Sequence, residues 1–465
     1  MPLKQFTINF REFSQESLMR SNYKTAIFGI EIKNHIKQSD KQFVRLKDFF
    51  DIISGFAFKS EDYEQEGMPL IRIGDVGNDF DENNMVFLPE DYKDDYSKFL
   101  LKKNDIIVSL TGEGKLKSDI IEEGNKYLLN QRVGSLRAKK DINILFYFYL
   151  LNYFSLIKKQ FYWWSNGKTQ LNISPFDFLK IKIPLIPKST QDKIVAQIEP
   201  IEKKIKELKS QITPPQEVIN KVFAREFKFD LRKFEKLERE KLFQVEFFTI
   251  GKQNDLRFSA KHSLYSQYLN EIVKKHIFLN FGKILSKKPQ YGANESAKDF
   301  SEGDIRYIRI TDIDNTGNLL NDDIKTADNI EEKYLLKNND FLFARSGNTV
   351  GKSFLYNQKI HGEAIFAGYF IKFVFDHSII NSLFLLYYSK SFIFEIWKNT
   401  VMRTMGQPNI NAEEYKTLPI PNISLKHQQK IVDEIKAELD KQEEMKQKIE
   451  TQRNKIDEII ENVIK

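Results

Sequence analysis

The sequence predicts an α+β protein that consists of two tandem domains of the same fold, each followed by a long helix. Three observations predict it: the chain repeats itself, each copy begins with short apolar runs separated by turn signals, and each copy ends in a helix with an apolar seam. A chain of 465 residues, 41% of them hydrophobic, can fill several cores and is too apolar for a disordered protein.

The repeat appears as short motifs that recur in the same order. Ile71-Arg72-Ile73-Gly74-Asp75 returns as Ile308-Arg309-Ile310-Thr311-Asp312, 237 residues later. Gln170-x-Asn172-Ile173 returns as Gln407-x-Asn409-Ile410 at the same offset. This period is far longer than that of a solenoid, so it predicts two domains rather than a repeat array.

The order of elements is the same in both copies. A mixed region of short strands and turns comes first, and an aromatic, helical stretch follows it at Leu145–Ile157 and at Leu383–Trp397. A proline-marked loop comes next, at Pro184–Pro187 and Pro419–Pro421, and a long helix follows each loop.

Apolar residues in both long helices recur at steps of three and four, which is the spacing of a coiled-coil seam. Pro200 should bend the first helix, and Thr213-Pro214-Pro215 should interrupt it. Because the two seams have matched periods, we expect the helices to pack on each other as an antiparallel coiled coil. The predicted seam consists of Ile194, Ile198, Ile201, Ile205 and Leu208 in the first helix and Ile435, Ile449, Ile456 and Ile459 in the second.

Composition excludes several classes of protein. The chain has no cysteine, which excludes disulfides, thiolate metal sites and cysteine nucleophiles. Its first residues lack the apolar core of a secretory signal, and the most apolar run, 144–157, is shorter than the ~20 residues of a membrane span. We therefore expect a soluble, cytoplasmic protein, whose net charge of +7 is compatible with a polyanionic partner.

Two motifs approach catalytic patterns, and neither completes one. Residues 346–353 resemble a phosphate-binding loop, but Ser346 stands where the leading glycine is required. Asp105, Glu113 and Lys115 resemble part of a metal-dependent nuclease site, but the second copy lacks the second acid. The six histidines are scattered. We expect no catalytic residue and no bound metal.

Loops of both copies contain residues suited to reading duplex DNA. Arginine can bind guanine through two hydrogen bonds, Asn and Gln can match adenine, and Lys neutralises phosphate. The alternative is that the Gln-x-Asn motifs are turn residues that cap backbone groups. The predicted DNA-contacting residues are Arg72, Lys115, Lys117, Arg132, Asn166, Lys168, Gln170 and Asn172 in the first copy and Arg309, Arg345, Ser346, Asn348, Lys352, Arg403, Gln407 and Asn409 in the second.

The layout resembles the specificity (S) subunit of type I restriction–modification systems over essentially the whole chain. The residues that carry the resemblance are 69–76, 345–352 and the two loop-to-helix junctions, 183–195 and 418–432. In both junctions a proline loop leads into a helix that starts Gln-x-Lys-Ile-Val.

The resemblance implies a target-recognition domain at 1–187, a central helical spacer at 188–227, a second target-recognition domain at 228–423 and a C-terminal helix at 424–465. It implies a non-catalytic subunit of a type I restriction enzyme and adenine-N6 DNA methyltransferase complex, which reads a bipartite site in double-stranded DNA. Two methyltransferase (M) subunits and restriction (R) subunits would dock on it. S-adenosylmethionine, ATP and Mg²⁺ would bind to those partners, and no membrane is involved.

Two alternatives remain open at this stage. The chain could be a recognition subunit of another methyltransferase–nuclease system, or a two-domain scaffolding adaptor that binds proteins and no nucleic acid. Duplex binding that weakens steeply as salt rises distinguishes a DNA reader from the adaptor, because phosphate contacts release counterions.

Overall fold

A computed structural model of the chain describes residues 23–77, 85–112, 116–166, 171–239, 260–314, 316–402 and 407–464. The chain forms two compact units, one of residues 1–210 with 446–465 and one of residues 211–445. The unit borders fall inside the two predicted helical segments, 188–227 and 424–465, and the domain boundaries that the sequence suggests stay predictions.

The first unit contains eleven strands in the described residues: β1 Phe43–Arg45, β2 Phe50–Ser54, β3 Met68–Ile71, β4 Val86–Leu88, β5 Ile106–Ser109, β6 Thr111–Gly112, β7 Ser118–Ile120, β8 Leu128–Leu129, β9 Val133–Ala138, β10 Leu171–Asn172 and β11 Lys182–Pro184. Its helices are α1 Tyr23–Gln38, α2 Tyr92–Asp95, α3 Ile144–Tyr153, α4 Ser155–Trp164, α5 Pro175–Phe178 and α6 Lys188–Lys209.

The second unit contains the described strands β12 Phe278–Asn280, β13 Gln290–Tyr291, β14 Ala297–Asp299, β15 Arg306–Ile308, β16 Lys325–Ala327, β17 Phe341–Ala344, β18 Ser353–Leu355, β19 Ala364–Phe366, β20 Phe370–Phe373 and β21 Pro419–Pro421. Its helices are α7 Pro215–Glu226, α8 Leu231–Arg239, α9 Ala260–Lys275, α10 Gln358–His361, α11 Ser382–Tyr388, α12 Phe392–Val401 and α13 Ala412–Tyr415. The last helix, α14 Leu425–Ile464, begins in this unit and continues into residues assigned to the first.

The two units share one topology, which confirms the predicted pair of tandem domains of the same fold. A four-stranded antiparallel sheet has the order β2-β9-β5-β7 in the first unit and β13-β20-β17-β18 in the second. A parallel pair lies beside each sheet, β3 with β8 and β15 with β19. The strand register also matches, because β5 pairs Ile106 with Leu136 and β17 pairs Phe341 with Phe373.

Each aromatic stretch that the sequence predicts as one helix is in fact two. In the first unit α3 and α4 meet at Phe154, whose backbone is extended (φ −74°, ψ 115°). In the second unit α11 ends before Ser391, whose side chain accepts a hydrogen bond from the amide of Phe394 at the start of α12. A capping serine favours a new helix start over continuation. Within the described ranges, no helix is long and apolar enough to cross a membrane.

A buried glutamine fixes the start of each long helix. Gln191, 2% exposed, donates from Nε2 to the carbonyl of Ile186 in the proline loop and accepts from the backbone amide of Asn143, the cap of α3. Gln428, 1% exposed, makes the equivalent bonds to its own proline loop and to Asn381, the cap of α11. The Gln-x-Lys-Ile-Val motif therefore joins loop, long helix and aromatic helix.

The first long helix is interrupted at Thr213-Pro214-Pro215, as predicted, but is continuous through Pro200. The helix α6 runs through Pro200 without a break and ends at Lys209, and α7 starts at Pro215. The predicted interruption at Thr213-Pro214-Pro215 is thus confirmed. Proline cannot donate the backbone hydrogen bond of a helix interior but is well suited to its first turn, which explains the restart at Pro215.

Burial along the long helices follows the predicted seam with two corrections. Ile194, Ile198, Ile205 and Leu208 of α6 are buried, as are Ile435, Ile449 and Ile456 of α14. Ile201 is only half-buried, and near the C-terminus the buried residue is Ile460 rather than Ile459. A helix with 3.6 residues per turn drifts by about 20° per heptad relative to a repeat of 3.5, which moves the apolar face on by one residue.

Contacts within the second unit place α7 antiparallel to the first half of α14. The amide of Thr213 donates to Gln442 Oε1 at 2.8 Å. Twelve residues further on, Arg225 binds Glu434 through two bonds of 2.6 Å. The later residue, Arg225, thus binds the earlier position in α14, so the two helices run in opposite directions. Coiled-coil packing of α6 against α14 stays a prediction.

The drift of the seam predicts unequal effects at two adjacent isoleucines. Ile460→Asp should lower the free energy of unfolding by about 3 kcal/mol or more, because it places a carboxylate at a position that is 1% exposed. The matched control, Ile459→Asp, should cost less than about 1 kcal/mol, because that side chain is half-exposed. Urea unfolding measures both; equal losses would contradict the drift.

Candidate nucleic-acid interface

The predicted readout residues of the first unit meet where β5 ends. The amide of Leu110 donates to the carbonyl of Arg132 at 3.0 Å, and the amide of Ile173 donates to the carbonyl of Leu110 at 2.9 Å. The short strand β10, with Asn172, pairs with β6 directly after this point. We call the place where the segments of Leu110, Arg132 and Ile173 are hydrogen-bonded together the first strand junction.

The second unit has the same backbone arrangement where β17 ends. The amide of Arg345 donates to the carbonyl of Tyr369, and the amide of Ile410 donates to the carbonyl of Arg345, both at 2.9 Å. Ser346 forms an isolated antiparallel bridge with Asn409. This is the second strand junction, and it brings Arg345, Ser346 and Asn409 together as the repeat predicts.

Arg345 has an aromatic support and, among the described residues, no charged partner. Its guanidinium carbon lies 5.0 Å from the ring centroid of Tyr291, within range of a cation–π contact. The Tyr291 hydroxyl accepts from the amide of Ala412 at 3.2 Å, which holds the ring in place. Arg345 Nε and the hydroxyl of Ser346 are buried and have no hydrogen-bond partner among the described residues. Buried polar atoms are usually satisfied, so these two are available to bind a ligand.

Arg132 is the corresponding cation of the first strand junction. Its side chain is exposed and forms no hydrogen bond or ion pair with the part of the chain that the structure describes. A surface recess beside it is lined by Ser54, Thr111, Gln131 and Asn172. These groups provide hydroxyl and amide donors and acceptors around one free guanidinium.

Two other predicted arginines are paired with carboxylates of the fold, and that they contact DNA stays a prediction. Arg309 binds Asp312 at 2.6 Å and Asp323 at 3.1 Å, and the hydrogen bond to Asp312 raises the pKa of Arg309. Arg72 lies 3.6 Å from the carboxylate of Asp75, which also accepts from the Arg72 amide. Both arginines stabilise equivalent turns after β3 and β15.

Lys352 is also occupied. Its ammonium group donates to the carbonyl of Ile313 at 2.5 Å, so it holds the loop that follows β15. Sequence reasoning missed this bond because the carbonyl lies 39 residues earlier in the chain. That Lys352 contacts phosphate stays a prediction.

The remaining predicted residues are polar and mostly exposed. Asn166 and Asn172 exchange two backbone hydrogen bonds, of 2.8 and 2.7 Å, and both side chains are exposed. Lys117, Asn348 and Gln407 are exposed as well. Lys115, Lys168, Gln170 and Arg403 lie outside the described residues. That these residues contact DNA stays a prediction.

The sequence analysis did not select Gln131, Tyr291 or Tyr369. Gln131 precedes Arg132 and is exposed in the same recess, and Tyr369 is 56% exposed beside Arg345. The signal was available for Tyr369, since it lies 237 residues after Arg132, the offset of the repeat. Tyr291 had no comparable signal, because only the sheet brings it to Arg345.

The acid that resembled part of a nuclease site has a structural role. Asp105, 2% exposed, binds Arg137 through bonds of 2.9 and 2.6 Å and accepts from the amide of Lys102. In the second unit Asp340 takes this place beside Lys372, whose pKa is lowered by burial. Among the described residues, no group of three or more His, Cys, Asp or Glu side chains could hold a metal ion.

The glycine-rich loop after Ser346 does not form a phosphate cradle. The amides of Val350, Gly351 and Lys352 all donate to carbonyls of the same loop or strand. A phosphate-binding loop requires amides that point free toward the ligand. The loop instead presents Asn348 at the surface beside the strand junction.

The two strand junctions share a chemistry suited to the edges of bases. Each places a free arginine among amide and hydroxyl groups at the end of a rigid sheet. An arginine fork can donate two bonds to guanine O6 and N7, and amides can match adenine.

Comparison with known families agrees with this chemistry. The model of the type I restriction modification DNA specificity domain matches residues 38–214 and 280–452, more than half of the chain. The chain is 34% identical over 166 residues to the type I restriction enzyme MjaVIII specificity subunit of Methanocaldococcus jannaschii, a match that covers 34% of this chain and 38% of that protein.

A second relative is the type I restriction enzyme EcoAI specificity subunit of Escherichia coli, 28% identical over 171 residues, with 34% of this chain and 28% of that protein covered. The matched part thus spans well under half the length of both relatives. Among solved structures, the S subunit of a type I restriction–modification system from M. genitalium is 14% identical, with a TM-score of 0.42 and coverage of 92% and 97%. A chain from work on assembly and conformational transition of the type I R-M system is 12% identical, with a TM-score of 0.44 and coverage of 91% and 97%.

Because Arg309 is paired with carboxylates and Arg345 is not, substitution of the two arginines should lower the free energy of unfolding by unequal amounts. Arg309→Ala should lower the free energy of unfolding by about 1–3 kcal/mol, because Asp312, which is buried, loses its charged partner. Arg345→Ala should cost less than about 1 kcal/mol, since only the contact with Tyr291 is lost. Urea unfolding compares the two; a larger loss in Arg345→Ala would mean that its guanidinium belongs to the fold.

Proposed function

This chain belongs to the family of type I restriction modification DNA specificity domains, and on that basis we propose that it is the DNA sequence-recognition subunit of a type I restriction–modification complex. Each of its two units reads one half of a bipartite site in double-stranded DNA. The observation that carries the proposal is the presence of one free arginine at the same strand junction in both units.

The strand junctions support recognition of bases because their arginines have no carboxylate partner in the part of the chain that the structure describes. Arg132 and Arg345 differ in this from Arg309 and Arg137, which are bound to carboxylates. A guanidinium that is already paired gains little from DNA, whereas a free one can donate its full fork to guanine. The exposed amides of Asn172 and Gln407 add donors and acceptors that discriminate adenine.

The chain itself carries out no chemistry in this proposal. Two methyltransferase (M) subunits dock on it, and restriction (R) subunits join that core. S-adenosylmethionine, ATP and Mg²⁺ bind to those partners. Long helices with charged outer faces, such as α14, offer the docking surface, and the complex acts in the cytoplasm, where the cell's DNA lies.

The decisive experiment maps methylated adenines in the source genome with and without this gene. We expect one bipartite sequence to lose methylation when the gene is deleted and to regain it on complementation. The purified complex with its M subunits should bind this duplex with an affinity that falls as salt rises, because phosphate contacts release counterions. An unchanged methylome together with no duplex binding at low salt would favour the two-domain protein-scaffolding adaptor.

Substitution of each free arginine should affect one half-site only. Arg345→Ala should relax the requirement for one base in the half-site read by the second unit, with a loss of discrimination of about 1–3 kcal/mol. Arg132→Ala should do the same in the other half-site. Sequencing of methylated adenines gives both specificities. A matched loss at both half-sites in either variant would contradict the division of labour.

A further inference from the structure

Each strand junction contains two directly opposed residues on neighbouring, hydrogen-bonded strands. The arginine is the residue on one strand in the first unit and the residue on the other strand in the second unit. In the first unit the pair is Leu110 and Arg132, and in the second unit it is Arg345 and Tyr369. The backbone hydrogen bond that joins the two members has the same direction in both, from the amide of the first to the carbonyl of the second. Arg345 directly follows β17 in the second unit. In the first unit Arg132 instead directly precedes β9, the strand that pairs with β5.

The surroundings of each arginine change together with its position. Tyr291, which supports Arg345, occupies the place of Ser54, because Tyr291 pairs with Ile371 in the same register as Ser54 with Gly134. Leu110, which takes the place of Arg345, is 4% exposed and packs into the unit. The aromatic contact with Tyr291 therefore belongs to the unit whose arginine directly follows β17.

Two polar atoms indicate that Arg345 faces a ligand and not the fold. Arg345 Nε and Ser346 Oγ are adjacent in sequence, buried, and without a hydrogen-bond partner among the described residues. An unsatisfied buried polar group costs about 1–3 kcal/mol, and a bound partner that satisfies it removes that cost. Ser346 is 6% exposed.

We propose that this cross-strand pair sets which base pair of each half-site carries the recognised guanine. The inference rests on the proposed function and adds the position of the contact to it. Directly opposed residues of antiparallel strands have Cα atoms about 4.5–5.5 Å apart. Successive base pairs are about 3.4 Å apart along the helix axis. Moving the arginine from one member of the pair to the other therefore displaces its guanine by one or two base pairs.

The double variant Arg345→Leu/Tyr369→Arg tests this by giving the second unit the arrangement of the first. Leucine is the residue at the corresponding place of the first unit, where Leu110 is 4% exposed, and position 369, 56% exposed, can carry arginine. In the full complex with its M subunits, sequencing of methylated adenines should show that the guanine requirement of one half-site has moved by one or two positions. The other half-site should be unchanged and serves as an internal control for assembly.

The single variants separate the possible failures. Arg345→Leu alone should relax the original guanine by about 10-fold or more and create no new requirement. A double variant that keeps the wild-type sequence, or that loses the guanine without gaining another, overturns the inference but leaves the proposed function intact.

If the double variant does not assemble, the single variants Arg345→Leu and Arg132→Leu test the inference instead. Each should then relax one guanine, and the two guanines should lie at different distances from the methylated adenines of their half-sites; equal distances overturn the inference. Only a wild-type complex without sequence-specific methylation would overturn the proposed function itself.

Discussion

The hydrogen bonds at the ends of the central strands are the constraint on which the rest of the molecule depends. In both units an amide on the central strand donates to the neighbouring strand, and the loop with the Gln-x-Asn motif donates back to the central strand. These bonds use backbone atoms only, so they hold three segments together whatever side chains they carry. The fold can therefore stay constant while the residues at the surface of the junction differ, as Leu110 and Arg132 differ from Arg345 and Tyr369. A protein that presents two different binding faces on one repeated scaffold requires this separation.

Charge pairing then decides which of the basic residues remain available. A cation inside or at the edge of a packed unit is stable when a carboxylate or carbonyl satisfies it. Asp105, Asp312 and Asp340 do so for Arg137, Arg309 and Lys372, and in each case the carboxylate also accepts a backbone amide of its own turn. These pairs stabilise loops at equivalent places in both units. Within the described ranges, Arg132 and Arg345 have no such carboxylate.

The long helices connect to the recognition units through buried amides and not through apolar contact alone. Gln191 and Gln428 each bind a proline loop and the cap of an aromatic helix, which fixes where the long helix starts relative to its own sheet. A glutamine buried with its bonds satisfied specifies one geometry, because any shift would leave its amide unpaired. The apolar face of α14 contributes burial, and the mismatch between 3.6 and 3.5 residues per turn accounts for its drift from a strict heptad.

The sequence alone determined the duplication, the order of elements and the break at Thr213-Pro214-Pro215, because each of these is a local or periodic property: a repeated motif, an alternation of apolar residues, a proline without an amide hydrogen. It also supplied the free arginines, Arg132 and Arg345, as candidates. Tertiary structure alone distinguished them from Arg72, Arg309 and Lys352, since the groups that bind Arg309 and Lys352 include Asp323 and the carbonyl of Ile313, which are distant in the chain. It also assigned Tyr291 to Arg345 and Ile460 to the buried face, because neighbours across a sheet and the phase of a long helix depend on accumulated geometry that residue spacing does not encode.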